Sequence, residues 1–180
     1  MNSMIRGAVA GLAVMLAAQS AQAQGFSLGL GGGVVVPTGD LAEGSSTGWS
    51  GTAQLRVKPP VSPLGLQVDA FYTRFGLDGI DGHTRMLGGT ANAVMAFPGV
   101  SLARPYILGG VGLYNSKASV AGADGATKFG LNAGAGMDFG VGKANLFAEA
   151  RLHAILKAVQ DVSGDEKVGY LIPVTVGVRF

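Results

Sequence analysis

The chain has 180 residues, 48% of them hydrophobic and only 13% charged, with no cysteine. Its mean hydropathy is +0.37, yet after residue 23 no apolar run approaches the ~20 residues that a membrane-spanning helix needs. A disulfide framework and a helical membrane bundle are excluded, and 13 basic against 11 acidic residues leave no basic stripe for nucleic acid.

Residues 1–23 form the first element. Met1 to Arg6 carries one positive charge, residues 7–18 are small and apolar, and Ala21-Gln22-Ala23 offers a cleavage site before Gln24. This pattern reads as a secretory signal peptide. The alternative is a signal-anchor helix, for which the apolar run is short. Residues 24–180 are then one exported domain, and an apolar chain without long apolar runs must distribute its hydrophobicity by alternation.

Eight segments do alternate with a two-residue period, the mark of strands with one apolar side. In the first, 25–36, Phe26, Leu28, Leu30, Val34 and Val36 share a face. The second, 49–58, sets Trp49, Ala53, Leu55 and Val57 against Ser50, Thr52, Gln54, Arg56 and Lys58. The third, 64–74, sets Leu64, Leu66, Val68, Ala70 and Tyr72 against Gln67, Asp69 and Thr73. The fourth, about 84–97, opposes Leu87, Ala91, Ala93, Met95 and Phe97 to Thr90 and Asn92. The fifth, 106–115, is nearly all apolar or glycine, which leaves its facing open. The sixth, 128–139, opposes Phe129, Leu131, Ala133, Ala135, Met137 and Phe139 to Asn132 and Asp138. The seventh, 144–153, opposes Leu146, Ala148, Ala150 and Leu152 to Glu149, Arg151 and His153. The eighth, 171–180, opposes Ile172, Val174, Val176, Val178 and Phe180 to Leu171, Pro173, Thr175, Gly177 and Arg179, and it stops on a ring.

The connections alternate in length. Those at 59–63, 98–105 and 140–143 are short; those at 38–48, 76–83, 116–127 and 154–166 are longer and hold most of the acids. Short turns on one side and long loops on the other are the habit of outer-membrane barrels. A ~25 Å apolar band crossed at about 40° takes ~10 residues per strand, close to these lengths. With the first strand running outward, Phe26, Phe97, Tyr106, Phe139 and Phe180 fall at periplasmic ends, and Trp49, Tyr72, Tyr114, Phe129 and Tyr170 at outer ends. These ten are expected to form two aromatic girdles at the lipid boundaries; Phe71, Phe75 and Phe147 stand outside the pattern. A soluble lipocalin-like barrel is the alternative, but its outer face should carry many Lys and Glu. The expected fold is therefore all-β: an eight-stranded antiparallel transmembrane up-and-down β-barrel.

The polar faces then point Arg56, Lys58, Asp69, Asp138, Glu149, Arg151, His153 and Arg179 into a lumen only wide enough for side chains. Buried charges must be paired, so Asp69 and Glu149 are the expected counter-charges for Arg56 and Arg151. A near-neutral, salt-bridged plug and a selective pore are the two readings, and limited room favours the plug. The turn near Val61 should place Gln54 opposite Asp69. His153 reads as a rim residue of the seventh strand and His83 as a loop residue. Neither has a serine and carboxylate at a spacing suited to acyl chemistry, so no enzyme is expected. No Cys/His metal spacing and no phosphate-cradling loop is present, so neither metal nor cofactor is expected. Asp40, Glu43, Asp78, Asp81, Asp124, Asp161, Asp165 and Glu166 can bridge divalent cations to lipopolysaccharide, although no ordered calcium-loop spacing accompanies them; solvated loops are the simpler reading.

The segment Arg104-Pro105-Tyr106-Ile107-Leu108-Gly109-Gly110-Val111-Gly112, the run Phe129 to Phe139, Glu149-Ala150-Arg151 and the Val-Gly-Val-Arg-Phe end occur in an order that resembles the bacterial eight-stranded outer-membrane β-barrel family, the group with OmpA- and OmpX-like members. Pro173 departs from an ideal strand and calls for a bulge or a site near the rim. The resemblance implies a bacterial outer-membrane location and a role in envelope integrity or surface adhesion through the loops. A porin-like small-solute channel and a lipid-modifying enzyme are the alternatives. The implied partners are outer-membrane lipid and lipopolysaccharide, an extracellular ligand at the loops, and the outer-membrane assembly machinery, which would read Val176, Val178 and Phe180. A monomer and no nucleic-acid partner are expected.

Overall fold

The computed structural model describes residues 25–39, 46–59, 62–76, 83–99, 102–118, 126–141, 144–160 and 166–180. The expected leader, 1–23, and all the loop acids except Glu166 lie outside these residues.

Eight strands follow one another: β1 (Phe26–Thr38), β2 (Gly48–Val57), β3 (Leu64–Gly76), β4 (His83–Ala96), β5 (Ala103–Ala118), β6 (Ala126–Val141), β7 (Ala144–Gln160) and β8 (Glu166–Arg179). Each pairs antiparallel with its sequence neighbours, and β8 returns to β1 to close the barrel. Closure removes both sheet edges, which is the condition for a sheet to survive in lipid. The last rung is reciprocal: Phe180 N–H donates to the Leu28 carbonyl at 2.8 Å, and Leu28 N–H donates to the Phe180 carbonyl at 2.9 Å.

The two faces of the wall are inverted relative to a soluble protein. Leu66, Leu87 and Val176 stand 66%, 61% and 62% exposed on the outside, while Gln67 and Asp69 are 0% and 2% exposed within. Only an apolar surrounding makes that partition favourable. Apolar side chains also pack near the two ends of the lumen. Val35, Phe75, Met86, Tyr114, Ile155 and Leu171 pack together toward the long-loop end. Val94, Tyr106 and Leu108 pack toward the short-turn end.

The strands run further than the periodicity marks. β7 continues to Gln160, through what reads as the beginning of a loop, and β4 begins at His83. The extension of β7 includes a register shift against β8 between Ile155 and Val159. Pro173, by contrast, forces no bulge. The β7–β8 register is the same at Ala150↔Val174 as at His153↔Leu171, on either side of it. The lost donor is absorbed within an unbroken register.

Candidate functional site

The polar faces of five strands meet in the middle of the lumen as one closed ring of eight side chains. Arg56 (β2) donates through Nη1 to Asp138 (β6) at 3.0 Å and through Nε to Gln67 (β3) at 2.7 Å. Gln67 Nε2 donates to Asp69 at 2.7 Å. Asp69 accepts Arg151 Nη1 (β7) at 2.8 Å, and Arg151 Nε donates to Glu149 at 2.7 Å. Glu149 accepts Gln54 Nε2 (β2) at 3.3 Å, and the Gln54 carbonyl oxygen accepts Arg179 Nη2 (β8) at 2.7 Å. Arg179 Nη1 donates to Asp138 and completes the circuit. The two glutamines act as couplers: each amide turns its oxygen to a guanidinium and its nitrogen to a carboxylate, the orientation its neighbours require.

Further donors saturate the carboxylates. Thr90 and Asn92 donate to Asp69 at 2.9 and 2.7 Å. Tyr106 donates its hydroxyl to Glu149 at 2.8 Å. Arg56 and Arg179 also lie over the Tyr106 ring, 4.2 and 5.7 Å from its centroid, and Arg179 lies 4.6 Å from that of Phe147. Among the described residues the ring holds three guanidinium groups and three carboxylates. Buried charge is tolerable only with such mutual compensation.

This geometry revises the expected pairing. Gln54 does stand opposite Asp69, but Asp69 takes Arg151 rather than Arg56, and Arg56 takes Asp138. Asp138 reaches Arg56 across the lumen, a partner that cross-strand spacing alone does not reveal. Lys58 is not in the ring; it is exposed at the short-turn mouth, one residue beyond the end of β2. Arg56, Asp69, Glu149, Arg151 and Arg179 are buried, and Asp138 is half-buried.

Two of the ten expected girdle rings face the other way. Tyr106 and Tyr114 are each 1% exposed and point into the lumen. The signal for this lay on the neighbouring strands. A side chain at Gly136 would collide with the Tyr106 ring, and one at Gly130 would collide with that of Tyr114. Phe147 likewise fills space left by Gly31 and Gly177. Glycines on the polar faces thus mark seats for rings from nearby strands, and Phe71, whose ring occupies the space beside Gly88, follows the same rule. Phe26, Trp49, Phe97, Phe129, Phe139 and Tyr170 are exposed on the outer wall, while Tyr72 and Phe180 are half-buried. Trp49 and Tyr72 are 5.6 Å apart between ring centroids.

His153 is inside the barrel rather than at its rim, 5% exposed, with Nδ1 2.7 Å from the Tyr114 hydroxyl. His83 Nε2 accepts Arg85 Nε at 2.9 Å at the start of β4. Above the ring, a cavity of about 30 Å³ is bordered by Ser50, Asp69, Thr73, Glu149, Arg151 and His153. That is space for about two water molecules. At the short-turn mouth an open recess of about 170 Å³ is lined by Arg56, Lys58, Arg104, Asp138 and Arg179. Among the described residues, no three His, Cys, Asp or Glu side chains come together in a way that could hold a metal.

An apolar outer wall, an ion-paired interior and full closure define a membrane-spanning β-barrel. The chain belongs to the outer membrane protein beta-barrel domain family, whose model matches residues 7–180. That family places it in the bacterial outer membrane. Its fold is similar to that of the neisserial surface protein A (NspA) crystal structure, with a TM-score of 0.68 at 22% identity, covering 86% of this chain and 96% of that one. It is also similar to a major outer membrane protein of Thermus thermophilus, with a TM-score of 0.53 at 10% identity, covering 86% and 98% of the two chains. No curated protein matches the sequence.

Proposed function

We propose that this chain is a closed, non-enzymatic outer-membrane barrel that serves envelope integrity or surface adhesion, with its long loops presented to the exterior. The observation that carries the reading is the ring. Eight side chains from β2, β3, β6, β7 and β8 tie opposite walls together across the lumen, and the cavity beside them measures only about 30 Å³. A conducting path would have to break several charge-assisted hydrogen bonds at once. The arrangement of the hydroxyls also speaks against acyl chemistry. The Ser50 hydroxyl donates to the Tyr72 carbonyl at 3.2 Å and accepts from Thr73 at 3.1 Å, while His153 is engaged by Tyr114. The nucleophile and base are committed to different partners.

Export through a leader cleaved after Ala23, assembly guided by Val176, Val178 and Phe180, and a monomeric state belong to the same reading. Residues 176, 178 and 180 give an apolar face that is available before β8 meets β1.

Bilayer recordings of the refolded protein test the closed lumen. The expected result is no stable conductance step. Ohmic channels that survive reversal of polarity would establish the porin-like alternative. The cysteine-free chain also allows single-cysteine labelling in intact cells. Thr47→Cys at the long-loop end should react with an impermeant maleimide, and Lys58→Cys at the short-turn end should not. The opposite pattern would invert the topology. A strain lacking the gene should become sensitive to hydrophobic antibiotics or lose surface attachment; unchanged behaviour in both assays would refute the role.

A further inference from the structure

The short-turn mouth of the barrel gathers cations that the ring does not neutralise. Its recess of about 170 Å³ is lined by Arg56, Lys58, Arg104 and Arg179, against the single carboxylate of Asp138. Both oxygens of that carboxylate are engaged, one by Arg56 Nη1 at 3.0 Å and the other by Arg179 Nη1. Arg104 is directly opposite Asp138 in the β5–β6 register, yet none of the ion pairs among the described residues includes Arg104 or Lys58. The short connections at 59–63, 98–105 and 140–143 hold no Asp or Glu, and Lys143 adds a further cation to this end.

Two buried donors at this mouth lack an acceptor. Arg56 and Arg179 are 8% and 3% exposed, and Arg56 Nη2 and Arg179 Nε each have no hydrogen-bond partner. A buried donor left unpaired is costly. Lys58 and Arg104, by contrast, are exposed. The first pair makes the floor of the recess and the second its rim. Both rim residues are held in place. Lys58 N–H donates to the Gly25 carbonyl at 2.7 Å, and a Cβ at Gly99 would meet Arg104 Cγ at 2.7 Å.

A pocket lined by one sign of charge, with apolar wall supplied here by Val94 and Ala96, focuses its field and concentrates counter-ions. The cations come from β2, β5 and β8, and Ser27 of β1 and Asn145 of β7 add a hydroxyl and an amide. Donors that converge from all around a mouth suit a tetrahedral oxyanion, and guanidinium groups match phosphate oxygens in particular. A dianion also balances the excess positive charge better than a monoanion does. The recess has space for on the order of ten water molecules, so a phosphate fits there with a small substituent.

We propose that the short-turn mouth binds a phosphate group, carried by inorganic phosphate or by a small phosphate monoester, with Arg56 and Arg179 as the floor of the site and Lys58 and Arg104 as its rim. With the long-loop end facing the exterior, this ligand arrives from the periplasm. The site goes beyond the closed-barrel reading, because it requires neither the long loops nor a particular state of the lumen.

The test uses the full mature chain refolded in an uncharged maltoside detergent and titrated calorimetrically near neutral pH. The probes are inorganic phosphate, glycerol phosphate and acetate. Wild type is compared with Lys58→Gln/Arg104→Gln, which leaves all eight ring side chains in place. A second double variant, Arg74→Gln/Arg85→Gln, removes the same charge from exposed positions near the other end. Retention of the barrel is checked by heat-modifiable gel migration. Wild type should bind phosphate saturably, at least tenfold more tightly than acetate, with affinity falling as salt is raised. Lys58→Gln/Arg104→Gln should weaken phosphate at least fivefold, and Arg74→Gln/Arg85→Gln less than twofold. No saturable binding, an unchanged affinity in Lys58→Gln/Arg104→Gln, or equal weakening by the two double variants would overturn the site. Acetate bound as tightly as phosphate would overturn the phosphate assignment. Preference for glycerol phosphate or for inorganic phosphate supports the site either way and assigns it to the ester or to the free ion. If Lys58→Gln/Arg104→Gln fails to fold, the two single variants should each weaken phosphate at least twofold, and no change in either would overturn the site. A micelle has no sides, so a reversed topology would show instead in the Thr47 and Lys58 labelling pattern, and an open lumen in conductance.

Discussion

Replacing Arg151 by Met removes the one cation between two buried carboxylates. In the structure its Nη1 is 2.8 Å from Asp69 and its Nε 2.7 Å from Glu149. At an effective dielectric constant of about 20, each unit pair at that distance is worth ~6 kcal/mol before desolvation. The cost of burying the guanidinium offsets much of this, so the measurable loss on removing the partner should be about 3–5 kcal/mol. The neutral donors to Asp69 and Glu149 remain in place, and they keep the loss from being larger. A second substitution sharpens the argument. Asp69→Asn combined with Arg151→Met restores the lumen to two cations and two carboxylates, so the double variant should recover at least half of what the single variant loses. Urea unfolding in lipid vesicles measures both. Trp49, the chain's one tryptophan, stands 54% exposed on the lipid face, and its emission reports departure from lipid. A single variant within ~1 kcal/mol of wild type would mean that the carboxylates are solvated and the ring does not carry buried charge. A double variant no more stable than the single would mean that Asp69 and Glu149 do not compete for neutralisation.

Further outcomes are expected from the wall, the glycine seats and the terminus. Arg placed at lipid-facing Ala133 or Val176 should cost ~2–4 kcal/mol in the same titration, whereas Arg at inward Thr175 or Asn132 should act through crowding and depend on the charge of its neighbours; equal effects at all four would contradict the facing. Gly177→Ala should lose about 1–3 kcal/mol, because its Cβ would press on both the Leu30 carbonyl and the Phe147 ring. Gly51→Ala, with nothing within 4 Å of the added carbon, should change stability little, and equal losses at the two positions would refute the close packing at Gly177. Deleting Phe180 should lower the folded yield in cells far more than it lowers stability after refolding in detergent; undiminished assembly in cells would reduce this residue to a packing ring.

The architecture was legible because β-barrel strands carry their facing in a two-residue period, and lipid outside makes that period strong. Leu55, Leu66 and Val176 need no tertiary information to be placed outward. The loss of legibility began where that contrast faded. β5 from Ile107 to Leu113 has no polar residue, so its period cannot distinguish lumen from lipid. Tyr106 and Tyr114 then read as boundary rings because tyrosine suits a membrane interface as well as it suits a hydrogen-bonded interior. The deciding information was held by other strands. Gly136 is directly opposite Tyr106 on β6, and Glu149, directly opposite Gly136 on β7, accepts the tyrosine hydroxyl. A large ring beside a glycine on a polar face, with a carboxylate one strand further on, is a pattern that three paired strands carry and a single strand does not.

The ion pairs show the same boundary between local and non-local information. Cross-strand neighbours are readable from a turn: a turn near Val61 puts Gln54 opposite Asp69, and the structure has that register. Partners across the lumen are not readable in this way. Arg56 and Asp138 are 82 residues apart and sit on strands that are not neighbours. Their meeting depends on the curvature and stagger of the closed wall, which no segment of the chain specifies alone. The same closure explains why the glutamines matter. Gln54 and Gln67 sit on adjacent strands, each bridging an arginine to a carboxylate. Without them the three cations and three carboxylates would form two separate triads, Arg56–Asp138–Arg179 and Asp69–Arg151–Glu149, rather than one ring. Gln54→Leu should therefore uncouple Arg179 from Glu149 while leaving both ion pairs of Asp138 formed. Its stability loss should add to that of Tyr106→Phe less than independently, because both remove a donor from Glu149. Strict additivity in a double-mutant cycle would show that the two donors act as separate contacts, and that the ring is a set of neighbours rather than one coupled network.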